Sequence, residues 1–447
     1  MHLHQDTGVL PDGGIERGLL EFMKSTMKIE TIKNLDATVK IPGSKSFTQR
    51  ALIIASLAEG KSCLHNALIS DDTDYLITAL RLFGVRVLVT DEEIVIEKTS
   101  ERMRNPGETI YLGNNGTSLR FLTSLAALAT GEVIIDGGSR LRKRPVGPVM
   151  DALRSLGVKC RSLGSEGYPP VVIEGGGING GRVTFRDTQS SQYISSLLIV
   201  APCAKGDVEI ELLGNTASRP YIDLTIDVMN RFGVDVIRHG DEGYTVKAPQ
   251  TYRGQDYTVE SDLSNASYFF LAAALCKGKI RVPDINPDTI QGDMGVLGIM
   301  EQMGSSVIIG KGCIDVVGKE LIPGDMEFDM ASMPDMVPTV AVLAAFREGR
   351  TVITNVAHLR LKECDRISAV VTELNRIGID AKELDDGLVI SGGTPRGAEI
   401  ETYEDHRMAM AFAIAGLVTE GIEITDVTCV NKSFPRFWDT LNQLYRP

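Results

Sequence analysis

An α/β (α+β) protein, built from six copies of one unit and divided into two lobes, is what the order of residues predicts. Apolar, helix-like runs end in a short charged turn with one glycine at Gly60, Gly131, Gly206, Gly278, Gly349 and Gly421, spaced by 71, 75, 72, 71 and 72 residues. Out of phase with these, amphipathic runs end in an apolar residue and a glycine at Phe83-Gly84, Leu156-Gly157, Phe232-Gly233, Met303-Gly304 and Ile377-Gly378. The chain stops where a sixth such run would fall, after Phe437 to Tyr445. A fixed period of this size marks a repeated supersecondary unit. The third observation is length. The 447 residues exceed what one hydrophobic core supports, so two lobes of three units each is the economical division.

Within a unit the order reads helix, glycine turn, β-branched strand, loop, second helix closed by glycine, and further strand. Strands follow the turns directly, as in Val133-Ile134-Ile135, Val208-Glu209-Ile210 and Thr351-Val352-Ile353. The first helices are apolar on nearly every face, as in Ala266 to Leu275 and Met336 to Phe346, so burial on most sides is expected.

Polar residues gather at one phase of the repeat, the start of the first helix: Lys45-Ser46 with Arg50, Asn114 to Thr117 with Arg120, Ser190-Ser191-Gln192, Ser264-Asn265, Asp335, and Asp405-His406-Arg407. The second helices start with a similar set: Arg144, Ser218 to Tyr221, Gln291 to Asp293, Lys362-Glu363 with Arg366, and Lys432-Ser433. Ser, Thr, Asp and Asn at such places are ordinary caps. Lys and Arg are not, because a cation at a helix N-terminus opposes the macrodipole unless an anion lies between. Repeated N-termini facing one space would make an anion site.

The formal net charge of −13 and the lack of a long Lys/Arg run exclude a nucleic-acid face. Gly137 to Pro145 nevertheless holds Arg140, Arg142, Lys143 and Arg144 with no acid, which suits small anionic substrates in a cleft. Seven cysteines without a CxxC pair read as reduced thiols of a cytoplasmic protein. No leader pattern and no run near 18 apolar residues points to secretion or a membrane partner. Residues before Met27 lack sustained periodicity and read as an extension or a start-site artefact, expected to be disordered; His2 and His4 there could touch a metal, but a mobile polar tail is expected.

Pro42-Gly43-Ser44-Lys45-Ser46 suggests a phosphate loop, yet the upstream glycine of that motif is absent. From about Ile29 onward the chain instead resembles the 5-enolpyruvylshikimate-3-phosphate synthases, or 3-phosphoshikimate 1-carboxyvinyltransferases. Nine motifs in order carry the resemblance: PGSKSxxxR at 42–50, LGNNGTSLR at 112–120, RP at 144–145, SSQ at 190–192, SRPYID at 218–223, PD at 334–335, LKECDR at 361–366, DHR at 405–407 and NKSFP at 431–435. The resemblance implies a two-lobed inside-out α/β barrel of six βαβαββ units, three per lobe. Residues 28–43 with 260–447 would form one lobe, 44–259 the other, and 1–27 an extension. It implies transfer of the enolpyruvyl group of phosphoenolpyruvate to the 5-hydroxyl of shikimate 3-phosphate, releasing phosphate through a tetrahedral adduct, with no metal or organic cofactor.

By the same resemblance, Asp335 is the candidate base at the 5-hydroxyl, Glu363 handles the methylene proton, and Lys45 and His406 are further proton-transfer candidates. Shikimate 3-phosphate would lie on Lys45, Ser46, Arg50, Ser190, Ser191, Gln192, Ser218, Tyr221, Asp335 and Lys362. Phosphoenolpyruvate would lie on Lys45, Asn115, Gly116, Arg144, Gln192, Arg366, Arg407 and Lys432, where forked guanidinium contacts fix orientation as well as charge. The lobes are expected to close on the substrates through crossings near 41–44 and 257–262. A monomer is expected, with glyphosate as a competitor of phosphoenolpyruvate beside Gly116. His358 stands where many relatives have Asn, and Phe121 where many have Pro. The nearest rival, UDP-N-acetylglucosamine 1-carboxyvinyltransferase, usually places Cys where Ser139 stands here and begins GAKN where Gly43-Ser44-Lys45-Ser46 stands. A non-catalytic phosphometabolite-binding protein is the alternative of another class, and it would have little reason to keep Asp335, Glu363 and Lys45 together.

Overall fold

The computed structural model describes residues 26–90, 93–100 and 102–445. Residues 1–25, with His2 and His4, therefore lie outside the described residues. Met27 and Lys28 pair antiparallel with Ile424 and Glu423.

The α-helices are, in chain order, α1 (Lys45–Leu57), α2 (Asp71–Leu82), α3 (Gly116–Ala126), α4 (Gly147–Ser155), α5 (Ser191–Val200), α6 (Pro220–Arg231), α7 (Leu263–Leu275), α8 (Gly295–Gln302), α9 (Val337–Ala345), α10 (Arg366–Arg376), α11 (His406–Gly416) and α12 (Phe437–Gln443). The odd-numbered helices sit inside. Every residue of α9 and α11 is buried, and so is all of α7 except Leu275. Their apolar side chains cover the whole helix surface, and each fully buried Leu, Val or Phe contributes about 1.5–3 kcal/mol. The even-numbered helices α2 to α10 keep one wet face and end where the sequence places glycine. Gly84, Gly157, Gly233, Gly304 and Gly378 all adopt φ between +85° and +119°, a left-handed turn that suits a residue without Cβ. At Gly278 the turn differs: Lys277 takes the positive φ, and Gly278 is required for space, since a Cβ there would meet Leu35 O at 2.4 Å.

Five four-stranded sheets repeat one pattern, a parallel pair followed by two antiparallel pairings, and a three-stranded sheet adds Met27–Lys28 to Glu423–Ile424 and Glu399–Ile400. In the sheet of Lys61–His65, the parallel partner is Asp256–Thr258, which comes from far along the chain. Asp36–Thr38 plays the same part for Lys279–Pro283. Two separate hydrophobic clusters result, one drawn from residues 47–259 and the other from 29–41 and 263–444. The chain passes between them twice, side by side: Gly43 bridges Ser261 antiparallel, Ser44 N donates to Glu260 O at 2.7 Å, and Asp262 N donates to Pro42 O at 2.9 Å. All seven cysteines are free, and no helix among the described residues is long and apolar enough to cross a membrane.

Candidate active site

Between the two clusters lies a cavity lined by polar and charged side chains from both. All six odd-numbered helices direct their N-termini at it, through Lys45, Gly116, Ser191, Ser264, Asp335 and His406. The starts of the even-numbered helices surround these, through Asp72, Arg144, Tyr221, Asp293, Glu363 and Ser433. Free N–H groups and the positive helix ends converge with buried cations on one space.

Carboxylates hold the cations of one wall. Arg366 donates to Asp405 Oδ2 at 2.9 Å, to Asp335 Oδ1 at 3.0 Å and to Glu363 Oε2 at 2.9 Å. Arg407 donates to Asp335 Oδ2 at 2.7 Å, and Lys362 Nζ is 3.9 Å from Asp335 Oδ1. Burial alone would raise Asp335 and Glu363. The charges of Arg407, Lys362 and Arg366 outweigh it at Asp335, and those of Arg144, Arg366 and Lys432 at Glu363, holding both well below the usual carboxylate range. Burial lowers Lys362, with the charge of Asp335 opposing it. Burial, with Lys45 and Arg407 adding to it, drives His406 far down and so keeps it neutral; neither of its ring nitrogens has a hydrogen-bond partner.

The opposite wall uses neutral partners. Arg50 donates to Thr225 Oγ1 at 2.7 Å and to the carbonyls of Ser46 and Tyr221 at 2.9 and 3.2 Å, with its guanidinium 5.2 Å from the Phe121 ring centre. Burial lowers its pKa to about 10, still charged at neutral pH. Gln192 Nε2 donates to Thr117 Oγ1 at 3.1 Å, and Ser190 caps α5 by accepting from Gln192 N. Gly116 has no spare room, because a Cβ there would lie 2.3 Å from the Arg144 guanidinium carbon and 2.4 Å from Arg120 Nη1.

Several contacts span the walls. Lys432 Nζ reaches Asp72 Oδ1 at 2.8 Å and the Asn114 carbonyl at 3.0 Å, while Lys45 Nζ lies 3.3 Å from Asp72 Oδ2. Arg144 Nη1 is 3.6 Å from Glu363 Oε1. Asp262 caps α7 through Asn265 N at 2.9 Å and accepts from Lys45 N at 3.0 Å, tying two helix starts together.

Of the residues that the resemblance assigns to catalysis or to the two substrates, all line this cavity except Asn115 and Lys432. Lys432 enters through Asp72 and, at 3.9 Å, Glu363. The Asn115 side chain is spent on α3, accepting from Ser118 N and donating to Ser118 Oγ and to the Asp72 carbonyl. His358 is buried with Nε2 3.5 Å from Ser218 Oγ, and burial, reinforced by Lys362, lowers it to about 4. Asp72 escaped the sequence reading, since Asp71, Asp72 and Asp74 at the start of α2 look like ordinary first-turn acids. Asp293, noted only within a polar stretch, accepts from Ser264 Oγ at 2.5 Å and from the Tyr221 hydroxyl at 3.4 Å. Burial, with Asp335 nearby, pushes it up to about 7.

The family described as EPSP synthase (3-phosphoshikimate 1-carboxyvinyltransferase) matches residues 29–441. The chain belongs to that family. It is 44% identical over 419 residues to the 3-phosphoshikimate 1-carboxyvinyltransferase of Syntrophobacter fumaroxidans, covering 93% of this chain and 99% of that one. The protein of the same name from Methanothermobacter thermautotrophicus is 44% identical over 418 residues, with 94% and 98% covered. A solved EPSP synthase from Acinetobacter baumannii superposes with a TM-score of 0.76 at 28% identity, covering 94% of this chain and 98% of that one. The fold is accordingly the two-domain inside-out α/β fold of the EPSP synthases.

Proposed function

We propose that the cavity carries out the reaction for which its family is named: the enolpyruvyl group of phosphoenolpyruvate passes to the 5-hydroxyl of shikimate 3-phosphate and phosphate leaves. The observation that carries this is the meeting of two carboxylates, the partly buried Asp335 and the buried Glu363, with Arg144, Arg366, Arg407, Lys362 and Lys432 at one set of helix N-termini. The substrates are anions, and the chemistry needs a proton removed from an oxygen and another delivered to a carbon.

Asp335 takes the hydroxyl proton and Glu363 serves the methylene carbon, with Lys45 and His406 at hand. In the free enzyme the surrounding cations make both carboxylates weak bases. A phosphoenolpyruvate anion on Arg366 and Arg407 neutralises part of that field and raises the proton affinity of both. The donor thus readies the base for the acceptor. Addition gives a tetrahedral adduct; the new methyl group then returns a proton to Glu363, the double bond re-forms as the carbon–oxygen bond to phosphate breaks, and the leaving phosphate takes up the proton held at Asp335. Ser46, Arg50, Ser190, Ser191, Ser218 and Tyr221 hold shikimate 3-phosphate; Gly116, Arg144, Gln192, Arg366, Arg407 and Lys432 hold phosphoenolpyruvate.

On this reading the two hydrophobic clusters are the lobes, residues 28–43 with 260–447 and residues 44–259, and they close about the paired crossings at Gly43 and Ser261. Small-angle scattering unchanged by both ligands would count against closure. The chain works as a cytoplasmic monomer, and glyphosate competes with phosphoenolpyruvate; inhibition that phosphoenolpyruvate cannot relieve removes that part of the proposal. The deciding experiment measures phosphate release from phosphoenolpyruvate with shikimate 3-phosphate or UDP-N-acetylglucosamine, using Asp335→Ala as control. Turnover with shikimate 3-phosphate alone, lost by about 10²–10⁴-fold in the variant, is expected. Turnover with the nucleotide sugar, or full activity of the variant, overturns it.

A further inference from the structure

Outside the residues that line the cleft, on the sheet containing Lys61–His65, lies a cluster of Cys, His and carboxylate side chains. Cys63 and His65 are two residues apart on one strand and project to the same face, while Leu64 between them is fully buried on the other. Asp256 is the register partner of Cys63 on the parallel neighbour, and Glu93 that of His65 on the antiparallel neighbour. The ligand atoms of Cys63, His65 and Asp256 all lie within 4.8 Å of one another. Cys63 Sγ donates to Glu93 Oε2 at 2.8 Å, and His65 Nδ1 is 3.6 Å from the same oxygen. A tetrahedral zinc site with bonds of about 2.0–2.3 Å spaces its donors about 3.3–3.7 Å apart. Three adjacent strands therefore bring a sulfur, an imidazole and one carboxylate to within 4.8 Å of one another, with the Glu93 carboxylate against Cys63 and His65, and rotations of the accessible His65 and Asp256 side chains would close the remaining distance.

We propose that this face binds one thiophilic divalent ion of the zinc type through Cys63, His65 and Asp256, with Glu93 completing the tetrahedron. Sulfur with imidazole selects zinc-like ions over magnesium or calcium, which take oxygen donors. The ion replaces the thiol proton, which leaves to solvent as the sulfur–metal bond forms, so each ion bound releases one proton. Burial and the hydrogen bond to Glu93 push the thiol up to about 11, and Lys61 opposes them weakly; the free thiol is protonated at neutral pH. The position has a consequence for the enzyme. Val259 N donates to His65 O and Asn66 Nδ2 donates to Val259 O, so the strand Asp256–Thr258 runs straight into the crossing at 260–262. An ion joining Asp256 to Cys63 fixes that strand just before the chain leaves for the other core.

The test titrates the untagged, chelator-stripped full chain with Co²⁺ as a spectroscopic probe, follows proton release, and displaces the probe with Zn²⁺. One equivalent is expected, with a thiolate-to-cobalt charge-transfer band and one proton released. The band disappears in Cys63→Ser, and affinity falls at least tenfold in His65→Ala and Asp256→Asn, whose accessible side chains can be lost without disturbing the core. Zinc also raises the melting temperature of the parent chain and not of His65→Ala. Absence of a thiolate band, a band undiminished in His65→Ala and Asp256→Asn, or binding without proton release overturns the proposal.

Discussion

The two walls of the cleft carry the same kind of side chain in opposite electrostatic settings. Arg366 and Arg407 are held by carboxylates, and although burial opposes it, those charges raise their pKa above the ordinary guanidinium value. Arg50 and Arg120, equally buried, are held by hydroxyls, carbonyls and aromatic faces, and burial lowers both to about 10. The first wall is a compensated network that positions carboxylates; the second is uncompensated positive charge that awaits an anion. A buried cation loses its hydration in either case, and what replaces it decides whether its charge is already balanced before an anion arrives.

That contrast can be broken most forcefully at Arg366. Arg366→Ala leaves Asp335, Glu363 and Asp405 without their common partner, so activity falls by more than about 10⁴-fold and stability by about 3–5 kcal/mol in urea unfolding. Unchanged stability would show that the network is not compensated as described. The next effect is pH-dependent. Asp293 titrates near 7 when folded against an ordinary value of 3.8, so between those values the native state keeps a proton that the unfolded chain has released. Stability from this group is complete below about pH 4 and is lost as pH rises through 7, by up to about 4 kcal/mol. Urea midpoints at pH 5 and pH 8 should differ less in Asp293→Asn than in the parent chain, and an equal difference refutes the assignment.

On the uncompensated wall the signs change. Arg50→Met keeps volume and removes a charge with no carboxylate partner, so stability stays within about 1 kcal/mol while KM for shikimate 3-phosphate rises about 10–100-fold. A large loss of stability would place Arg50 with Arg366. The smallest effect belongs to Phe121, whose ring faces the Arg50 guanidinium at 5.2 Å. Phe121→Leu should raise that KM by about three- to fivefold, corresponding to about 0.5–1 kcal/mol of cation–π interaction, with KM for phosphoenolpyruvate unchanged.

Much of this was legible before any coordinates. Helix-ending glycines report a local backbone requirement, so Gly84, Gly157, Gly233, Gly304 and Gly378 fell where the sequence placed them. Lys45, Arg144, Arg366, Arg407 and Lys432 stood out because a cation at a helix start is locally unfavourable. Asp72 did not, because an acid at a helix start is locally favourable, and its contacts with Lys432 at 2.8 Å, 360 residues away, and with Lys45 at 3.3 Å distinguish it. Asn114 and Asn115 are alike as letters, and their place in the backbone decided that the Asn115 side chain caps α3 while the main-chain carbonyl of Asn114 faces Lys432. The protonation of Asp293 rests on burial from every side, which no local pattern encodes.

The pairing of Asp36–Thr38 with Lys279–Pro283 also sets an order of assembly. A sheet whose neighbouring strands are separated by an entire folded body cannot form cheaply until that body has drawn them together, since closing so long a loop is slow. The strand Asp256–Thr258 closes the inserted body on itself first, through Lys61–His65. Backbone amides of 61–65 should therefore gain protection from hydrogen exchange during refolding before those of 36–38 and 279–283. The segment that begins the chain's described structure is among the last to find its place.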